Sequence, residues 1–165
     1  MMLTIDPATG TLRMDGFRQD VTPGLDYATF ASSDLGRAST VLFPDRGYGD
    51  WTVELPVTVT GEARVHVMLS FIRDRLGSVC LVPLFPGEAA DFYSTSDDPW
   101  QLERQRVWLA THVGVKDGGY SWGSVWSRDN INARRFDVGI SFFPDREDRG
   151  MSAPAKTRRR RSRDP

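Results

Sequence analysis

Apolar and polar side chains alternate from Trp51 to Val59: Trp51, Val53, Leu55, Val57 and Val59 hold the odd positions, and Thr52, Glu54, Pro56 and Thr58 the even ones. Successive side chains of a strand point to opposite faces, so this spacing predicts a strand over 51–59 with its odd positions buried. Pro56 has no N–H to give to a ladder. The strand therefore either runs at a sheet edge or turns that position away from its neighbour. Gly61 and Glu62 punctuate the chain, after which Val65, Val67, Leu69 and Phe71 alternate with Arg64, His66, Met68 and Ser70 in a second strand. Arg73 to Gly77 supply a turn, and the nearly continuous apolar run Ser78 to Phe85 fits a strand that is central or covered on both faces. These three segments read as an antiparallel meander. Met2 to Ile5 and Thr11 to Met14, flanking Pro7-Ala8-Thr9-Gly10, predict an N-terminal hairpin. Tyr120 to Ser127 and Arg135 to Phe142, joined by the polar stretch Arg128 to Asn132, predict a C-terminal one. In its last strand Phe136, Val138, Ile140 and Phe142 alternate with polar or small residues.

Two helices interrupt the strands. Asp26 to Leu35 predicts a short helix with Tyr27, Phe30 and Ala31 inward and Gly36 as the residue just past its end. The main helix starts at Asp98-Pro99, with Gln101 three residues after the Asp as in a capping box, and closes at Gly114. At about 100° per residue, Leu102, Leu109 and Val113 share a face that Ala110, Val107 and Trp100 widen. Arg104, Gln105, Thr111 and His112 fall on the other side. Arg106 lies inside the apolar arc, where a charge must either snorkel to water or meet a carboxylate. The class is α+β, a mainly antiparallel sheet built from the N-terminal hairpin, the three-strand meander and the C-terminal hairpin, packed by one main and one short helix.

The chain has 165 residues, enough for one core, and with 39% hydrophobic and 11% aromatic residues it is too apolar to be wholly disordered. A net charge of -1 hides an asymmetry: from Arg149 onward there are 7 basic residues and 1 acidic one, leaving 14 basic and 21 acidic before it. That tail has no aromatic or branched aliphatic residue to bury. The expected organisation is a globular domain over 1–146 and a disordered Arg-rich tail over 147–165. The opening Met1-Met2-Leu3-Thr4-Ile5-Asp6 lacks a basic segment followed by an apolar run, and no apolar stretch nears the 18 or so residues of a membrane helix. The cytoplasm is the expected location, with no membrane partner.

Cys80 has no second cysteine to pair with, and two histidines with one cysteine do not fill a four-ligand zinc site without carboxylates. Phosphate-loop, dinucleotide-binding and paired-cysteine motifs are absent from the sequence. We therefore expect no catalytic residues, metal, cofactor or small-molecule substrate. Cys80 reads as a buried small hydrophobe, and His66 and His112, on the polar faces of their elements, as surface residues. An enzyme using Asp91 and His112 is the least supported reading. Asp91, Asp97 and Asp98 precede the main helix without calcium-loop spacing, and their simplest role is to cap and charge its start. Tyr120, Trp122 and Trp126 share one parity. Trp122 is expected in the core, while Trp126, nearer the polar loop, is as readily exposed as buried.

Three pieces in order carry a resemblance: Trp51-Thr52-Val53-Glu54-Leu55-Pro56-Val57 with Val65-His66-Val67-Met68-Leu69-Ser70-Phe71 and the Arg75-Leu76 turn; the Asp98-Pro99-Trp100 helix start; and Tyr120-Ser121-Trp122-Gly123-Ser124-Val125-Trp126-Ser127 with the Phe136 to Phe142 strand. Together, over about residues 20–143, they resemble a group of small bacterial proteins, some of which look like immunity proteins of interbacterial toxin systems. The chain departs from that pattern after Ser127, where Arg128-Asp129-Asn130-Ile131-Asn132-Ala133 replaces an expected Asp-Pro and Gly-rich turn, and in its Arg-rich tail. The resemblance implies a non-enzymatic blocker that binds one toxin, and it brings no catalytic residues. An acidic body is compatible with a basic partner. Asp91, Tyr93, Asp97, Trp126 and Asp129 are the candidate contacts, since exposed aromatics beside acids anchor protein partners. The alternative is a nucleic-acid or anionic-surface binder acting through Arg158, Arg159, Arg160, Arg161 and Arg163.

Overall fold

The computed structural model describes residues 2–87, 99–130 and 135–142. Leu3–Ile5 (β1) and Leu12–Met14 (β2) form a separate two-stranded hairpin. Tyr27–Ser32 (α1) and Asp34–Ala38 (α2) lead into Thr40–Phe43 (β3), Trp51–Glu54 (β4), Thr58–Thr60 (β5), Ala63–Ile72 (β6) and Arg75–Leu84 (β7). Pro99–Trp108 (α3) continues into a wider π-helical turn, Leu109–Val113, followed by Gly118–Tyr120 (β8), Gly123–Asn130 (β9) and Arg135–Phe142 (β10). Strands β3 to β10 make one eight-stranded sheet in the order β3-β4-β6-β7-β10-β9-β8, with β5 also paired to β6, and every pairing is antiparallel. This is the α+β, mainly antiparallel class that the alternation predicts.

The inner face of the sheet is the core. Val65, Val67, Leu69 and Phe71 of β6 are at most 1% exposed, and Val79 and Leu81, Val138 and Ile140, and Val125 carry that face across β7, β10 and β9. The hairpin supplies Leu3, Ile5, Leu12 and Met14 to it, α1 and α2 supply Phe30 and Leu35, and α3 with its extension supplies Trp108, Leu109 and Val113.

The predicted strand over 51–59 is two strands that face opposite ways. Val53 and Leu55 are buried as expected, but Val57 and Val59 are 40% and 52% exposed while Thr58 and Thr60 are 1% and 0%. Pro56 cannot continue the ladder, and across the break the inward parity shifts by one residue. Thr60 is tolerated inside because its Oγ1 accepts the backbone N–H of Leu3 at 2.9 Å. The predicted turn over Arg73 to Gly77 is also shorter. Arg73 and Asp74 alone turn the chain, both left-handed at φ 51° and 61°, as a I′ hairpin requires.

The predicted helix over 26–35 is broken at Ser33, whose ψ of 169° is extended. Ser33 ends α1 and caps α2, its Oγ accepting from Gly36 N at 2.9 Å. Phe30 is buried and Tyr27 half-buried, but Ala31 faces solvent, and Gly36 lies inside α2 rather than past its end. Asp26 caps α1, its carboxylate accepting from the Thr29 hydroxyl at 2.7 Å and from Thr29 N at 2.8 Å. Those bonds hold it below the ordinary aspartate value of 3.8. Asp34 is likewise lowered, chiefly by the backbone N–H of Arg18. A carboxyl depressed in the fold takes up protons less readily than in the unfolded chain, so its stabilisation is present above 3.8 and lost as pH falls through the lower folded value. Titration from about pH 5 to about pH 2 should lower the unfolding midpoint, and Asp26→Asn, which keeps an oxygen acceptor at the cap, should flatten that dependence in denaturation followed by circular dichroism.

Helix α3 is turned by roughly a quarter of a revolution from its predicted orientation. Gln105, Trp108, Leu109 and Val113 are buried, whereas Trp100 and Val107 are 61% and 56% exposed. Gln105, expected outside, donates Nε2 to the carbonyl of Asp137 at 2.8 Å, and Trp108 donates Nε1 to that of Thr60 at 2.8 Å. Gln105, Leu109 and Val113 are four apart, a spacing that drifts about 40° per step in an α-helix. The wider turn rotates less per residue and returns Val113 to the core beside β1. Gly114 closes it at φ 97°, its N–H on the carbonyl of Leu109. Arg106 lies outside the buried arc and pairs at the surface with Asp117 at 3.0 Å and, more loosely, with Glu103 at 3.9 Å.

Candidate partner-binding surface

Because β6, β7, β9 and β10 turn alternate residues inward, the others line a second, outer face. Thr52, Ser70, Ser78, Ser141 and Ser124 lie in register across β4, β6, β7, β10 and β9, all half-buried. The adjacent row is Glu54, Met68, Cys80, Gly139 and Trp126. Cys80 is half-buried here, not deep in the core as expected. His66 is no plain surface residue either: it is half-buried, with Nδ1 2.7 Å from Glu54 Oε1. His112 is exposed, its ring against Gly61 so closely that a Cβ there would come within 2.6 Å of it.

Trp126 belongs to this outer face. Its ring lies across Gly139, where a Cβ would sit 2.3 Å from it, and the Arg128 guanidinium is 5.8 Å from the ring centroid. Arg128 is held in turn by the fully buried carboxylate of Asp137, Nε to Oδ1 at 2.6 Å, a bond that raises the Arg128 pKa further. A buried carboxylate needs such a partner, and this one fixes a cation beside the indole. The expectation that Tyr120, Trp122 and Trp126 share a face fails, because β8 and β9 form a hairpin that turns at Ser121 and Trp122. Trp122 is in the core, stacked on Tyr120 at 4.8 Å and donating Nε1 to the Pro7 carbonyl at 2.9 Å.

The sheet ends at β3, which the alternation did not reveal. All its residues are exposed, Val41 by 45%, Leu42 by 37% and Phe43 by 67%, and Tyr48 in the following loop by 77%. That loop is folded on Asp45, whose Oδ1 accepts from the backbone N–H of Tyr48, Gly49 and Asp50 at 2.8, 2.8 and 3.1 Å. The neighbouring strand β4 is fixed from the inner side by Trp51, stacked on Tyr27 at 4.0 Å and bonded to Asp74 at 3.2 Å. The apolar run Thr40-Val41-Leu42-Phe43 between Ser39 and Pro44 was the available signal for this strand.

Of the candidate contacts, Asp91, Tyr93 and Asp97 lie outside the described residues, as do Asp98 and the arginines Arg158 to Arg161 and Arg163. Asp129 lies in β9 opposite Phe136 of β10, on the strand that carries Trp126. Among the described residues no three His, Cys, Asp or Glu side chains gather as a metal site would need, and no helix is long and apolar enough to cross a membrane.

No protein-family model and no curated protein matches the chain. Among solved structures it is similar to a chain of "Rhs1-CT in complex with cognate immunity protein RhsI1", with a TM-score of 0.59 and 13% identity over 89% of this chain and 93% of the other. At that identity the likeness is one of fold.

Proposed function

We propose that this chain is an immunity-type protein that binds a cognate toxin and neutralises it without chemistry of its own. The observation that carries the reading is the nearly full-length likeness of fold to a chain of a solved toxin–immunity complex. Features of the chain agree with a binding role. Its two histidines stand apart, His66 bonded to Glu54 and His112 against Gly61, and Trp126 and Arg128 are pre-positioned on the outer face. Aromatic and arginine side chains fixed before binding lose little freedom on contact and dominate interface energetics. The excess of 21 acidic over 14 basic residues before Arg149 favours a basic partner, speeding encounter and opposing wrong partners. Asp91, Tyr93, Asp97, Trp126 and Asp129 are the contacts we assign to the toxin.

The test is co-expression with the toxin encoded beside this gene, with growth and complex formation as readouts. The wild-type chain should protect and form a one-to-one complex weakened by salt. Reversing Asp91, Asp97 and Asp129 together should weaken it by about tenfold or more, largely through slower association. Unchanged affinity and protection would remove the acidic-contact assignment, and no protection by the wild type would end the immunity reading. Deleting residues 149–165 should leave the complex intact. Loss of salt-sensitive nucleic-acid binding on that deletion, with no toxin complex at all, is the outcome that the Arg-rich alternative requires.

A further inference from the structure

We infer that β3 is a docking edge, to which an extended segment of the partner toxin adds as a further strand of the sheet. This rests on the toxin-binding reading and names where and how the partner is held. A terminal strand presents a row of backbone donors and acceptors that a second chain completes, and proteins that act alone shield such edges with charges, coverage, proline, bulges or short length, of which β3 has only its short length and one register slip. Within β3 there is no charge and no proline, and Val41, Leu42 and Phe43 are all exposed. A register slip between Val41 and Phe43 bends the strand and Pro44 ends it, so the edge offers a short segment. Its backbone is set in advance on one side by β4 and at its end by the loop folded on Asp45.

Charge and size choose the occupant. Arg37 and Arg46 are exposed just before and just after the strand. Antiparallel pairing of two copies about the centre of β3 would bring Arg37 of α2 in one copy and Arg46 of the following loop in the other to the same end of the pairing, twice over by symmetry, which disfavours a second copy. Four residues also cover far less than the roughly 800 Å² per partner of a stable interface, so the edge serves as one part of a larger contact. The C-terminal tail does not suit either, since Arg158 to Arg161 repeat the charge of Arg37 and Arg46 and the tail has no branched aliphatic residue. Asp45 offsets Arg46 only in part, because its carboxylate is turned into its own loop by three backbone N–H groups. The segment that fits is a partner strand of β-branched or other apolar residues, flanked by acidic side chains that meet the two arginines. The wider toxin surface can be basic while this segment is not.

The probe is the product of the neighbouring toxin gene, purified as an inactivated variant. Hydrogen exchange at those amides among residues 40–43 that point away from β4 should slow by at least about tenfold when the complex forms, as for a newly hydrogen-bonded edge. Val41→Lys and Phe43→Lys, both at exposed positions, should each weaken binding by about tenfold while leaving the unfolding midpoint unchanged. A complex that forms with full affinity in these variants, or in which those outward-pointing amides exchange as fast as in the free chain, overturns the strand-addition proposal and leaves the immunity reading standing. If the wild-type chain does not bind the probe, that reading fails and the proposal with it. Slow exchange at the same amides in the free chain, with doubled mass by light scattering, would make a second copy the occupant and overturn the assignment to the toxin.

Discussion

Gly36→Ala should lower stability by about 3 kcal/mol, although alanine in place of a helical glycine ordinarily adds up to about 1 kcal/mol. The opposite sign comes from the short link between α1 and α2. A Cβ at Gly36 would stand 2.0 Å from the carbonyl oxygen of Phe30 and 2.8 Å from its carbon. Both are backbone atoms, with no flexible side chain to yield. Relief would require opening the double cap at Ser33, which donates to Phe30 O at 2.6 Å and accepts from Gly36 N at 2.9 Å. It would also disturb Phe30 and Leu35, which are 1% and 0% exposed in the core. Gly119→Ala is the control, since a Cβ there meets nothing within 4 Å, and it should leave the midpoint of urea unfolding unmoved. Equal stability of the two variants would show that the α1–α2 link relaxes freely.

Trp108→Ala should cost about 3 to 5 kcal/mol, the range for removing a large buried aromatic. The indole is 3% exposed, packs edge-on to Phe85 at 6.3 Å and donates to the Thr60 carbonyl at 2.8 Å, so it seats α3 on the end of β5. Trp108→Phe separates the contributions. It keeps most of the packing but removes the donor to a buried carbonyl, and should cost about 1 to 3 kcal/mol. Chemical denaturation monitored by circular dichroism measures both. If the two variants were equally destabilised, the hydrogen bond to Thr60 would be the main contribution and ring burial a minor one.

What could be read in advance depended on whether an element's partners were local. Strands β6 and β10 were legible because Val65, Val67, Leu69 and Phe71, and Val138 and Ile140, keep one inward parity, which β6 holds even through its register slip against β7 between Ser70 and Phe71. Over 51–59 the same alternation misled, because Pro56 interrupts the ladder and the chain resumes with Thr58 and Thr60 inward. On α3, Gln105 and Trp108 find acceptors at Asp137 and Thr60, 32 and 48 residues away along the chain, and no helical wheel contains those carbonyls. Similar reasons limit the candidate site. Trp126 was placed in a strand, but its side was assigned from a run that turns a corner at Ser121 and Trp122. Strand β3 was missed since four residues exposed on both faces carry no alternation to detect. The pair Arg128 and Asp137 needed the register of β9 on β10, which only the three-dimensional pairing supplies.

The wide turn at Leu109–Val113 makes the chain's length adjustable at that point. A helix that accommodates a surplus residue can also shed one, so a single deletion among Ala110, Thr111 and His112 would tighten the coil into an ordinary one without unseating the preceding turns. Val113 and everything downstream would stay close to their present azimuth, since three residues of an ordinary coil turn the chain by about 300° and four of the wide one by about 330°. Gain or loss of one codon at this point therefore leaves the inner layer and the β8–β9 hairpin, with Trp126, where they are.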